Sequence, residues 1–206
     1  MTILKMRLKG DKIYIKTSSD YVFTIPKNGT YELDIYEGME LEFDDIPYLR
    51  LRAYEAAAKK CAISILKRGF ISEGMLRDKM RIKGHKNRFI NFAIQYCKEY
   101  ELLDDKRFVR LAISSLRLKG KSNRHILDYL KKAKISSRLI EKSKNKLSDE
   151  GEIKLLKEAI RKYYKVYEHK EKQEEYMIKA LMRKGFKYDS IKSLVSRYIK
   201  NQKRKK

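Results

Sequence analysis

Ala62-Ile63-Ser64-Ile65-Leu66 returns fifty residues later as Ala112-Ile113-Ser114-Ser115-Leu116, and Ala159-Ile160 stands at the equivalent place of a third segment. Reading outward from these stretches, Met80, Leu130 and Leu181 lie 50 and 51 residues apart, each near the end of an apolar pattern with helical spacing. Four residues beyond them come Gly84, Lys134 and Gly185; ten residues beyond come Ile90, Ile140 and Ile191. A shared pair of offsets in three segments is the signature of an internal repeat. The chain is therefore expected to be mainly α-helical: three tandem three-helix repeats of about 50 residues in an elongated array, preceded by a small N-terminal β unit.

The first repeat is expected over residues 48–104. Tyr54, Ala57, Ala58, Cys61, Ile65 and Leu66 mark one helix face ending near Gly69, and Ser72 caps a second helix through Leu76 and Met80 to Gly84. A third helix is expected to place Phe89, Ile90, Ala93, Ile94, Cys97 and Leu102 inward. The second repeat, 105–147, opens at Asp104-Asp105, whose carboxylates suit a helix N-terminus. Phe108, Leu111, Ala112 and Leu116 then share a face, Ser122 caps the next helix, and Ser136 opens the last. The third, 148–200, opens at Ser148-Asp149-Glu150 and finishes with Ile191, Leu194, Val195 and Tyr198. Residues 1–47 read differently. Ile13-Tyr14-Ile15 and Tyr21-Val22-Phe23-Thr24-Ile25 are β-branched and aromatic runs, Ile3 to Leu8 alternates, and Pro26 with Asn28-Gly29 closes a meander of two or three strands. Tyr31 to Phe43 is read as a further extended, acidic piece, and 201–206 as a basic disordered tail without an apolar anchor.

Charge is distributed unevenly. The first fifty residues hold 7 basic and 9 acidic side chains, a net of −2, while the other 156 hold 44 and 18, a net of +26. Solubility requires a magnitude of only about 2–8 in a small domain, so a polyanionic partner is indicated. No stretch approaches the roughly 18 uninterrupted apolar residues of a membrane-spanning helix, and the N-terminus carries no signal-peptide pattern. Cys61 and Cys97 both fall on amphipathic helices, which reads as two buried free thiols and a cytoplasmic location.

Catalytic constellations are scarce. His85, His125 and His169 are scattered and stand beside Lys or Arg, as exposed turn and helix residues do. Asp104-Asp105 is a capping pair rather than a metal site, since adjacent helical residues point apart, and phosphate-binding glycine loops are absent. No enzymatic activity, metal or cofactor is expected. Basic clusters carry the candidate site. Arg77, Arg81, Lys83, Lys86 and Arg88 surround the second turn of the first repeat. Arg107, Arg110, Arg117, Lys119, Lys121 and Arg124 flank the first helix of the second repeat and its turn, and Arg183, Lys184 and Lys187 occupy the last turn. Recurrence at equivalent turns would set them along one edge. Reversing Arg117, Lys119 and Lys121 to Glu is expected to abolish function while leaving the fold intact. Tyr163, Tyr164, Tyr167 and Tyr198 are assigned to core packing in preference to base stacking.

Leu102-Leu103-Asp104-Asp105-Lys106-Arg107-Phe108-Val109, then Gly120, then Ile126-Leu127-Asp128-Tyr129-Leu130, and finally Leu181-Met182-Arg183-Lys184-Gly185-Phe186 followed by Ile191, resemble the RecX family of bacterial recombination regulators. The resemblance covers about residues 50–200. Val109 stands where the family has alanine, and Lys132-Ala133-Lys134-Ile135 replaces its lysine-glycine-isoleucine turn. A left-handed helix stop without glycine costs about 1 kcal/mol. The resemblance implies a non-enzymatic inhibitor of RecA in recombination and DNA repair. Such a protein lodges in the groove of the RecA–DNA filament and restrains its ATPase and strand exchange. Its partners would be RecA and, through phosphates, single-stranded and double-stranded DNA, with the protein itself a monomer. The rival reading is a stand-alone basic DNA-binding protein with helix-turn-helix-like units, for which Asn87-Arg88 and Asn123-Arg124 near helix starts supply base-reading side chains.

Overall fold

The computed structural model describes residues 1–204. Three antiparallel strands, β1 (Ile3–Lys9), β2 (Lys12–Thr17) and β3 (Val22–Pro26), form a meander, followed by a 3-10 helix at Lys27–Glu32. Nine α-helices among the described residues complete it: α1 (Asp45–Leu66), α2 (Glu73–Ile82), α3 (Asn87–Glu99), α4 (Asp105–Leu118), α5 (Asn123–Lys132), α6 (Ser137–Lys144), α7 (Asp149–Val166), α8 (Gln173–Met182) and α9 (Tyr188–Lys203). They divide between two compact units, Met1–Asp104 and Asp105–Lys206.

In the first unit, the two-residue period of the strands turns Ile15, Phe23 and Ile25 onto one face while Lys12, Tyr14 and Lys16 of β2 and Val22 and Thr24 of β3 occupy the other. Register pairs Ile13 with Ile25 and Ile15 with Phe23. That apolar face closes on Ile46 and Ala53 of α1, together with Leu41. Further along, α1 contributes Ala58, Ala62 and Ile65 to a second cluster with Leu76 and Met80 of α2 and Ile90, Ala93, Ile94 and Cys97 of α3. The β unit thus packs directly on the first helix. Tyr31 to Phe43 is not a strand. Apart from one bridge, Thr2 to Glu40, it is a 3-10 turn and irregular chain hooked to β1 by Ile3 N–H to Met39 O (2.9 Å) and Gly38 N–H to Ile3 O (2.8 Å). Its alternation arises because Leu33, Ile35, Met39 and Leu41 dip into the sheet core from a loop. Its acidic residues serve as tethers: Glu32 pairs with Lys59 at 2.5 Å and Glu37 accepts from the Met6 N–H at 2.7 Å.

The three middle helices α2, α5 and α8 are each ten residues long. Ser72 and Ser122 accept hydrogen bonds from the third residue beyond them (3.2 Å from Met75 N, 3.1 Å from His125 N), satisfying a first-turn donor of α2 and α5. Each middle helix ends in the same way. His85 N–H reaches back to Met80 O (3.1 Å), Ile135 N–H to Leu130 O (3.1 Å) and Phe186 N–H to Leu181 O (3.4 Å), around left-handed residues Gly84, Lys134 and Gly185. This is a Schellman stop. At Lys134 the turn is kept without glycine, with φ at 57°. Met80, Leu130 and Leu181 are all wholly buried, as are Ile90 and Ile191, with Ile140 nearly so.

In the second unit α7–α9 enclose Leu156, Ile160, Met177, Leu181, Phe186, Ile191 and Val195. Tyr163, Tyr164, Tyr167 and Tyr198 pack against this cluster; Tyr163 stacks on Tyr167 and Tyr164 meets Tyr198 edge-on. At the C-terminus α9 runs to Lys203, so Asn201, Gln202 and Lys203 are helical where a disordered tail was expected from residue 201. Lys200 and Lys203 suit the negative end of that helix. Lys205 and Lys206, the end of that expected tail, lie outside the described residues. No helix among the described residues is long and apolar enough to cross a membrane.

Candidate functional site

The expected basic residues separate into three physical situations. On α2, Arg77 is held at both ends of its guanidinium, by Glu73 (Nε–Oε1 2.8 Å) and by Asn91 (2.6 Å), and Lys98 closes on the other Glu73 oxygen at 2.6 Å. Burial pushes the Glu73 carboxyl up, but the hydrogen bonds from Lys98 and Arg77 outweigh it and hold the group below its usual range. Arg81 spans Asp78 (3.4 Å) and Asn87 Oδ1 (3.2 Å). These two arginines tie α2 to α3. Lys83, Lys86 and Arg88, at the same turn, are exposed, as are Arg107 and Arg110 on α4. Arg124 is exposed with Asp128 at 4.0 Å.

Arg117 is a correction. It is half-buried rather than part of an exposed basic edge: Nη2 donates to Asn123 Oδ1, and Nη1 is buried with no hydrogen-bond partner among the described residues. The α4–α5 turn folds the guanidinium inward because Asn123 is itself buried, its Nδ2 donating to Leu147 O (3.2 Å) and its backbone N–H to Glu152 (3.0 Å). Reversing Arg117 to Glu would set a carboxylate against the Asn123 side-chain oxygen that now accepts from the guanidinium, so the reversal of Arg117, Lys119 and Lys121 is expected to disturb the turn as well as the charge. The same bonds consume the Asn123 amide, and Asn87 accepts from Arg81. Of the two asparagines proposed for base reading, Asn123 is buried and bonded to Arg117 and Leu147, and Asn87 is exposed with its oxygen on Arg81.

Lys119, Lys121, Arg183 and Lys184 come together. The α4–α5 turn packs on the α8–α9 turn: Ser122 N–H donates to Lys184 O (3.0 Å), Lys184 Nζ to Lys119 O (2.6 Å) and Lys121 Nζ to Arg183 O (3.4 Å). Gly185 makes this approach possible, since a Cβ there would lie 2.6 Å from Ser122 Oγ. Convergence arises from a first turn resting on a second turn, not from recurrence at equivalent turns. Among the described residues no carboxylate pairs with these four. Burial, then Lys121 and Lys162, push the Lys184 ammonium below its ordinary pKa. Crowded cations lacking a counter-charge favour an anion. Lys187 is exposed nearby on a groove of about 800 Å³ between α5, α7 and α9. Lys162 escaped sequence reasoning, because nothing in its own stretch of α7 marks it as a neighbour of Lys184.

The histidines are less exposed than expected: His85 and His125 are half-buried, and His169 is exposed. Burial, then Lys83, depresses His85; burial, then Lys121, depresses His125. Cys97 is buried and Cys61 half-buried, both free, and burial raises the Cys97 thiol to about 11. Among the described residues no three His, Cys, Asp or Glu side chains group as metal ligands do.

No family model matches the chain. A protein from Caldanaerobacter subterraneus named regulatory protein RecX is 25% identical over 197 residues, covering 95% of this chain and 98% of its own. Its relatives are RecX proteins. Another RecX, from Clostridium botulinum (strain Alaska E43), is 28% identical over 193 residues, covering 90% of this chain and 89% of its own. A crystal structure of regulatory protein RecX superimposes with a TM-score of 0.60 at 17% identity, over 95% of this chain and 98% of that one, which shows a shared fold. The resemblance read from the motifs around Asp104-Asp105 and Leu181 thus extends over nearly the whole length, β unit included. The RecX relatives are named as regulatory proteins, not as enzymes.

Proposed function

We propose that this protein is a non-enzymatic modulator of RecA that binds the RecA–DNA filament groove in the cytoplasm and restrains ATPase and strand exchange. The observation that carries this is the cluster of Lys119, Lys121, Arg183 and Lys184 on a RecX-like helical chain: four cations around two apposed turns with no carboxylate partner. Such a surface suits DNA phosphates or an acidic protein groove, and it lies on the half of the charge distribution that carries the excess. No chemistry is required of it. Occupancy of neighbouring subunits by a bound helical protein suffices to hinder extension. For the rival, a stand-alone duplex reader, the buried Asn123 side chain is bonded internally at both its oxygen and its amide nitrogen, while Asn87 stays exposed with its oxygen on Arg81.

The test is the single-stranded-DNA-dependent ATPase of the cognate RecA, titrated with this protein at two salt concentrations. Inhibition well below one protein per RecA subunit, persisting at the higher salt, supports a regulator acting on the assembly. Inhibition that vanishes when excess DNA is supplied would mean competition for DNA and would overturn the reading. The combined substitution Lys119→Glu, Lys121→Glu, Arg183→Glu should raise the concentration for half-inhibition at least tenfold with unchanged circular dichroism.

A further inference from the structure

The first unit carries a second place built for an anion, of a different kind. Between the start of β3, the start of α1 and the start of α3 lies a pocket of about 370 Å³ lined by Tyr21, Phe43, Tyr54 and Phe89 with Arg50, Lys86 and Arg88. The rings are arranged in two pairs. Tyr54 stacks on Phe89 at 5.1 Å with planes 16° apart, and Tyr21 meets Phe43 edge-on at 5.3 Å. Arg88 lies 5.9 Å from the Phe89 ring centre. Phe43 is 59% exposed and Tyr21 36%, so these two rings are not consumed by the core that Phe23 and Ile46 fill. Three cations and no carboxylate line the pocket.

A purely apolar partner would leave Arg50, Lys86 and Arg88 uncompensated, and a purely acidic one would leave the rings bare. A nucleotide of a single strand satisfies both, with a base against ring faces and flanking phosphates on the cations. Duplex DNA, whose bases are already stacked, does not. We infer that this pocket binds single-stranded DNA by stacking one base on the Phe43 and Phe89 rings, with Lys86 and Arg88 holding the adjacent phosphates. The inference does not rest on the filament reading, and its assay contains no RecA, so either can fail alone.

The experiment measures anisotropy of a labelled oligothymidylate of about 12 nucleotides bound to the full chain, against an abasic oligomer of equal length at the same salt. Stacking of one base predicts at least about fivefold weaker binding of the abasic strand. Phe43→Ala, at an exposed position, and Phe89→Leu, which keeps an apolar side chain in the half-buried site, should each erase that preference while retaining the far-ultraviolet spectrum. Arg88→Gln should weaken both strands alike and lower the salt slope by about one. Equal affinity for the two strands would overturn the proposal. So would a preference untouched by Phe43→Ala. Competition by oligoglutamate or by thymidine monophosphate as strong as by unlabelled oligothymidylate would also overturn it, pointing to an acidic peptide or a free nucleotide instead.

Discussion

Arg77 and Arg81 in the first unit and Lys121 and Lys184 in the second all stand at or near turns between helices, and the two pairs behave oppositely. Arg77 and Arg81 are paired with the carboxylates of Glu73 and Asp78, donate to the oxygens of Asn91 and Asn87, and stitch two helices together. Lys121 and Lys184 point into each other's neighbourhood with only backbone oxygens for company. A count of positive residues treats the two turns as the same. Pairing distinguishes them: cations matched by carboxylates hold the protein together, and cations left with each other are the ones proposed above to meet a partner.

The contrast breaks first at Arg117, which looks like a member of the second group and is wired like the first. Arg117→Glu should cost about 3 kcal/mol or more, since it sets a half-buried carboxylate against the Asn123 side-chain oxygen. Lys121→Glu should leave the urea midpoint unchanged or raise it, by relieving repulsion on Lys184. Equal losses in the two variants, followed by circular dichroism, would erase the distinction. Next come the glycines. Gly185→Ala meets both a left-handed backbone and the Ser122 and His125 side chains, so a loss of about 2–4 kcal/mol is expected. Gly84→Ala has the same backbone problem in open space and should lose only about 1–2 kcal/mol. Lys134→Gly should relieve up to about 1 kcal/mol of backbone strain, because glycine adopts the left-handed φ freely.

The smallest effect is a pH dependence. His85 and His125 bind protons less readily folded than unfolded, so the unfolded chain takes up more protons as the pH falls through about 6.5. Stability should decline from pH 7.5 toward 5.5 and stop declining below the folded pKa values. The double variant His85→Gln, His125→Gln should flatten that slope in urea titrations. Glu73 acts in a separate window: its pKa is lowered on folding, so its contribution is present above about 4.5 and lost as the pH falls through the folded value.

The helices were legible because their signals are local. Ser72 and Ser122 cap where their side chains face the next turn, and Met80, Leu130 and Leu181 fall buried at one helical phase. Lys134 shows how a local rule is overridden: packing of Leu130, Ile135 and Ile140 keeps a turn whose usual residue is missing. Tyr31 to Phe43 was misread because a loop dipping alternate side chains into a core has the same two-residue pattern as a strand. The candidate site was only half legible. Listing cations found Lys121 and Lys184, but no spacing announces that residues 62 apart touch, or that Arg117 turns inward. The ring pairs around Phe43 and Phe89 were invisible for the same reason, being drawn from three distant stretches.

One contact in the first unit has a kinetic meaning. Gly29 lies so close to α1 that a Cβ would sit 2.1 Å from Ala53 O, and the helix offers Ala53, Ala56 and Ala57 to that approach. The same helix, about 33 Å long at 1.5 Å per residue, serves the sheet core with its first half and the helical core with its second. Its central amides therefore have no private route to solvent. Deuterium should enter the stretch from Ala53 to Ala58 only when both cores open together, so that the sheet and the first three helices exchange as one cooperative foldon rather than as a removable cap on a free-standing bundle.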